Sequence, residues 1–296
     1  MRSLFFAVSC FLLAACGGSA GSVDPAESRA PSTPTGAAEG SGPETSVPVD
    51  GGAPAPDVPG LALHVRATDA AFPHADGLAG QTPTMARVGI VGLVLSRGED
   101  DPSPWVVFDR GTSFVDTPLD PGSDTRVAAV PASQLRPGVY TRAQVFVTHV
   151  AFRVASVMHV TGAAVPGVFD DVQALADGVV LGGAPRASGW YRYTFLAGGT
   201  TPAGTLEGTA APLPRVDAGP FRLVVEGGRA RYEWPVTVVV TPETRGKAVL
   251  TVNVHEDFRW RDQQAPGFAP KVFDTTPTSF EPVESFVGNA YTLTLE

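Results

Sequence analysis

The sequence predicts an all-β protein, one or two β-sandwich domains carried behind an N-terminal tether. Three observations point there. From Gly60 onward, apolar residues alternate with polar ones or form short β-branched runs, a period of two rather than 3.6. Glycine and proline, 33 and 28 of 296 residues, punctuate those runs at the short spacing that sandwiches and barrels need for their turns. Apolar residues make up 43% of the chain and charged ones 17%, enough to fill a core.

The elements follow in order. Residues 61–66 alternate, placing Leu61, Leu63 and Val65 on one face of a strand. Residues 87–95 (RVGIVGLVL) are nearly all apolar, as in a central strand buried on both faces. Residues 100–104 form a turn into a strand at 105–108. Arg136-Pro137-Gly138 launches a strand over 139–150, where Tyr140, Phe146 and Val150 share one parity and Val139, Val145 and Val147 the other. Later strands are expected at 190–196, 221–226, 229–234, 236–240, 248–254 and 291–295. Gly227-Gly228 predicts a tight hairpin, since both glycines accept positive φ. Prolines 212, 214, 220, 235 and 242 fall at expected strand ends, where a missing N–H does little harm. Only residues 169–176 hint at a helix, with Val172 and Leu175 three apart, and one or two turns is the most this allows.

The N-terminus reads differently. Arg2 precedes an apolar run from Leu4 to Leu13, too short to span a membrane, and the run ends in Leu13-Ala14-Ala15-Cys16. This arrangement resembles a bacterial lipoprotein signal. The resemblance implies cleavage after residues 1–15 and a diacylglycerol thioether on Cys16. It also implies a lipid-anchored protein of the cell envelope, and Gly17 rather than Asp favours the outer membrane. Cys10 would leave with the signal, so no intramolecular disulfide is possible. Residues 16–59 contain no aromatic side chain and read as a disordered Pro/Gly/Ser-rich tether. A flexible chain of ~40 residues spans ~35 Å and lifts the body off the lipid surface. The body divides into a sandwich at 60–162 and either a second β-rich domain or a continuation of the same sandwich at 163–296, with a possible boundary near Gly162.

One stretch carries a looser likeness. A first strand from Leu61, an apolar central strand, Trp105, a proline-glycine turn and Tyr140-Thr141 together resemble the prealbumin-like, Ig-like β-sandwich of many bacterial lipoproteins. That resemblance covers residues 61–159, implies a sandwich, and brings no catalytic residues.

Charge narrows the function. The formal net charge of −9, more negative still without Arg2, argues against nucleic acid and against an electrostatic grip on anionic lipid. There is no P-loop or G-x-G-x-x-G, and His255-Glu256 lacks the second zincin histidine because position 259 is Arg. On an unbroken strand His149, Arg153 and His159 would share one solvent-facing edge. Its two imidazoles would then be ~33 Å apart, too far for a shared metal. Asp109, Asp116, Asp120 and Asp124 supply hard oxygen ligands that would suit Ca²⁺. Tyr191, Tyr193 and Phe195 alternate as core residues do, whereas Phe258, Arg259, Trp260, Arg261 and Asp262 interleave rings with charge before a loop. That run is the expected surface for a glycan or protein partner. The leading expectation is an envelope-anchored, non-catalytic binding or structural module. The alternatives are a polysaccharide-binding protein or glycan hydrolase, which would need Asp257 paired with Asp262 or Glu233, and a calcium-stabilised adhesion module.

Overall fold

The computed structural model describes residues 60–211 and 221–296. Cys16, the expected tether and prolines 212, 214 and 220 lie outside the described residues. What is described is built from strands: β1 (Gly60–Thr68), β2 (Ala79–Gln81), β3 (Met85–Ser96), β4 (Trp105–Asp109), β5 (Val115–Pro118), β6 (Asp124–Pro131), β7 (Gly138–Val160), β8 (Ala163–Ala174), β9 (Val179–Leu181), β10 (Ala184–Arg186), β11 (Tyr191–Ala197), β12 (Thr201–Gly208), β13 (Arg222–Glu226), β14 (Arg229–Val240), β15 (Gly246–Asn253), β16 (Phe258–Trp260), β17 (Asp274–Thr276), β18 (Ser279–Phe280), β19 (Val283–Ser285) and β20 (Ala290–Leu295). The helical content among the described residues is one 3-10 turn, Ala132–Gln134.

A four-stranded sheet runs β20-β15-β1-β6, with β1 parallel to β15 and antiparallel to β6. Its alternating residues Leu61, Leu63 and Val65 are buried, as the pattern predicted. A larger sheet runs β12-β11-β8-β7-β14-β13, with β3 also paired to β7 and carrying β4 and β5. A third sheet, β19-β16-β2, is small. Leu63, Val65 and Leu250 of the first sheet meet Ile90, Leu93 and Val145 of the large one, which is the sandwich.

The spine is β7, 23 residues long. Its first part lies between β14 and β3, and its second part pairs with β8 from His149↔Ala174 to Val160↔Ala163. The face turned to the core changes along it. Ala143, Val145 and Val147 are buried, then Val150, Phe152 and Val154. The switch is a β-bulge: the β3–β7 register slips between Val88 and Ile90, opposite Thr148 and His149. A Cβ on Gly89 would collide there with the Thr148 hydroxyl and the His149 ring, so only glycine lets the bulge close. The two parities legible in 139–150 are thus segments of one strand on either side of an irregularity.

Two tyrosines fasten strand starts. Tyr140 donates its hydroxyl to the Arg136 carbonyl at 2.7 Å, and Tyr291 donates to the Val287 carbonyl at 2.8 Å. Both are tyrosine corners of the kind that pin sandwich crossovers. Gly227 and Gly228 turn the β13–β14 hairpin with φ of 56° and 73°, as predicted.

Two expectations change, and of the two alternatives for residues 163–296 the structure has the continuation. Residues 169–176 are mostly strand β8, not helix. Both edges of β8 are paired, to β7 and β11, and that ladder outweighs a weak helical spacing. Gly162 turns the β7–β8 hairpin with φ 78°, and the main core cluster draws on both sides of it, so residues 163–296 continue the same fold. Pro235 ends no strand: β14 runs through it, with a register shift between Pro235 and Val238 that absorbs the missing donor.

Candidate functional site

Phe258, Arg259 and Trp260, the first three residues of the run expected to form a ligand surface, are core. Phe258 and Trp260 are 0% and 1% exposed, in a strand flanked by β2 and β19. Phe258 packs on Phe152 and Phe273 with ring centroids 5.0 and 4.9 Å away. Arg259 points to the other face and is buried too. It clasps Asp76 at 2.5 and 3.1 Å and donates to the Leu78 carbonyl at 2.8 Å. Charge and rings alternate here because both faces of a small sheet are covered. Arg261 is exposed and donates to Glu284, while Asp262 accepts the Lys271 N–H at 2.9 Å. No common binding face is left for the five residues.

The aspartates expected to bind calcium are dispersed over separate partners. Asp109 pairs with Arg229, Asp116 with Arg87, and Asp124 with His64 and Arg66, while Asp120 accepts the Ala86 N–H. Among the described residues no group of three or more His, Cys, Asp or Glu side chains is placed to hold a metal.

His149, Arg153 and His159 do not line one solvent edge, because Phe114 and the Gly89 backbone cover His149. His149 is buried beside Thr148, 3.1 Å from its hydroxyl, and edge-on to Phe114. Burial pushes its pKa down to about 4; Asp116 opposes the shift and Arg87 reinforces it. Arg153 forms a bidentate pair with Asp170, and His159 lies 2.6 Å from buried Asp274.

Nor do the carboxylates proposed for glycan hydrolysis share a cleft. Asp257 is buried in the core beside Tyr232. Glu233, next along β14, points to the opposite face of the sheet. Asp262 is engaged with the 271 backbone.

Two clefts open instead on the outer face of the β14–β7 pair. The first, about 270 Å³, lies where three turns converge on β7 at the bulge. Asp109, Gly111 and Thr112 form one wall, Asp177 and Gly178 another, and Gly228 and Arg229 a third. Phe146, Val147 and Thr148 supply the floor. Arg229 lies over the Phe146 ring at 4.4 Å and reaches Asp109 at 3.4 Å. Asp177 accepts the Ser188 N–H at 2.8 Å, and its own N–H donates to the Gly228 carbonyl, so the walls are tied to each other. The Thr148 carbonyl accepts from the N–H groups of Leu175 and Ala176, which fixes the third turn on the bulge.

The second cleft, about 300 Å³, is lined by Glu99, Thr141, Arg142, Arg222, Glu233 and Pro235 among others. The Glu233 side chain is only 2% exposed. It is clamped by Arg142, by Arg231 at 2.5 Å, by Arg222 at 3.1 Å and by Gln144 at 3.3 Å. Burial opposes charge on Glu233, but the three guanidinium groups outweigh it and hold its carboxyl below the ordinary value. The signal for this face was present in β7, where Arg142, Gln144 and Phe146 alternate with Ala143, Val145 and Val147. Which strand lay beside them was not legible.

Comparison with protein-family models, with curated proteins and with solved structures finds no match to the chain.

Proposed function

We propose that this is a lipid-anchored protein of the bacterial outer membrane, tethered through Cys16, whose folded body binds a small, hydroxyl-rich ligand without transforming it. The observation that carries the binding reading is the cleft at the bulge of β7. Its floor is largely apolar, and its rim carries two carboxylates, a guanidinium and a hydroxyl in Asp109, Asp177, Arg229 and Thr112. Carboxylates accept from sugar hydroxyls and a guanidinium donates to them, while an apolar floor suits the C–H face of a pyranose. Turns supply the rim and paired strands hold the turns, the division of labour expected of a binding site on a rigid scaffold.

Saturation-transfer NMR of the soluble body, residues 58–296, against neutral and acidic monosaccharides tests this. Binding is expected in the wild type and should be lost in Arg229→Gln, with the melting temperature unchanged because Arg229 is half exposed. Equal saturation transfer in wild type and Arg229→Gln, or none in either, would remove the cleft from consideration.

A further inference from the structure

The second cleft holds two glutamates in unlike ways, and that difference points to a further binding site. Glu233 is part of the structure: buried, gripped by three arginines and by Gln144. Glu99 is not. It sits on the turn between β3 and β4, next to Gly98, with its side chain 75% exposed. It touches Arg142 and Arg222 through the single oxygen Oε1, at 3.4 and 3.5 Å. Those distances exceed the ~2.7–2.9 Å of a strong charge-assisted hydrogen bond, and an ion pair so exposed contributes little to stability.

We propose that Arg142 and Arg222 form a receptor for a ligand carboxylate, and that Glu99 is its displaceable internal occupant. Three features support this. First, the geometry is preset. Both guanidinium groups are oriented from below by Glu233, with Arg142 donating to Glu233 and Arg222 holding it through Nε and an Nη. Second, an untethered carboxylate can place one oxygen on each guanidinium, the bidentate geometry that the backbone-tethered Glu99 does not reach. Third, the local charge balance selects a single negative charge. Arg142, Arg222 and Arg231 face Glu233 and Glu226, so removing Glu99 leaves the cluster one positive charge in excess. A doubly charged phosphate would meet the buried Glu233 carboxylate at close range, which disfavours it relative to a carboxylate. The cleft stands at the lower end of the ~300–1,000 Å³ usual for ligand sites, so the occupant is a single acidic unit such as a uronate or a short carboxylic acid. The site is separate from the one at the bulge and does not depend on it.

The test is titration of the soluble body with glucuronate, acetate and inorganic phosphate, followed by NMR shifts of the arginine Nε–H signals. Glu99→Gln keeps the shape of the side chain and removes its charge. It is expected to bind glucuronate and acetate at least tenfold more tightly than the wild type, with phosphate weaker than either. Arg222→Gln, at an exposed position, should abolish the gain when combined with Glu99→Gln. Equal affinities in wild type and Glu99→Gln would overturn the proposal, as would phosphate binding as tightly as acetate. Failure of all three ligands to bind Glu99→Gln while it stays folded would do the same, and would mark Glu99 as a plain surface ion pair.

Discussion

Asp257 offers the most quantitative test of how this fold is held. It is buried among aromatic side chains, with Oδ2 accepting the Gly288 N–H at 2.7 Å. Burial pushes its pKa up to about 7 from an ordinary 3.8, against the opposing effect of backbone N–H groups. The folded state therefore holds a proton that the unfolded chain releases between those two values. Stability from this group is fully present below pH 4 and is lost as the pH rises through about 7. A shift of about three pH units corresponds to about 4 kcal/mol at 1.36 kcal/mol per unit. Asp257→Asn replaces the carboxyl with a neutral amide that still offers one acceptor oxygen to Gly288 and does not titrate. Urea unfolding of both proteins from pH 4 to pH 8 gives two curves. Their difference should move in favour of the variant by about 4 kcal/mol across that range, since all other titrating groups cancel. Parallel curves would show that Asp257 is ionised in the fold throughout, and that its backbone donors outweigh burial.

Two further outcomes follow from the packing and from the proposed anchor. Trp260→Ala should cost ~3–5 kcal/mol, because the ring is 1% exposed and packs on Phe258 and Phe273; a thermal melt within a degree of wild type would contradict its place in the core. Cys16→Ser should shift the full-length protein from the detergent phase to the aqueous phase on phase separation; retention in detergent would mean that another element holds it to the membrane.

The parts of the fold that could be read from the chain were those decided locally. Leu61, Leu63 and Val65 bury one strand face whatever lies opposite, and Gly227-Gly228 closes its hairpin by backbone freedom alone. The parts that could not be read were decided by partners distant in sequence. Arg259 looked like a surface residue because the carboxylate that clasps it in bidentate fashion is Asp76, 183 residues away; Glu256, three residues earlier, makes only a longer contact of 3.6 Å. Glu233 has Arg231 and Arg222 near in sequence, but Arg142 and Gln144 of its clamp, 91 and 89 residues away, reach it across a strand pairing that periodicity does not specify. The bulge at Thr148 and His149 was visible only as two conflicting parities. Its cause, a glycine on the neighbouring strand, lies 59 residues earlier.

The parallel pairing of β1 with β15 carries a consequence for the order of events in the life of the chain. On one edge β1 pairs early, Leu61 with Val130 of β6 and Arg66 with Asp124, but on the other edge Leu61 meets Gly246, and Arg66 pairs also with Glu296. One edge of β1 therefore waits until β15 has been made, in a synthesis that runs at ~5–20 residues per second. Until then the β1 edge that will receive β15 is an unsatisfied ladder, and pairings of such long sequence separation close slowly. A chain built this way leaves one edge of its first sheet open while its later strands are still being made. It also exposes an apolar edge during that interval, so a carrier that shields residues 61–67 would act on the most vulnerable stage of its assembly.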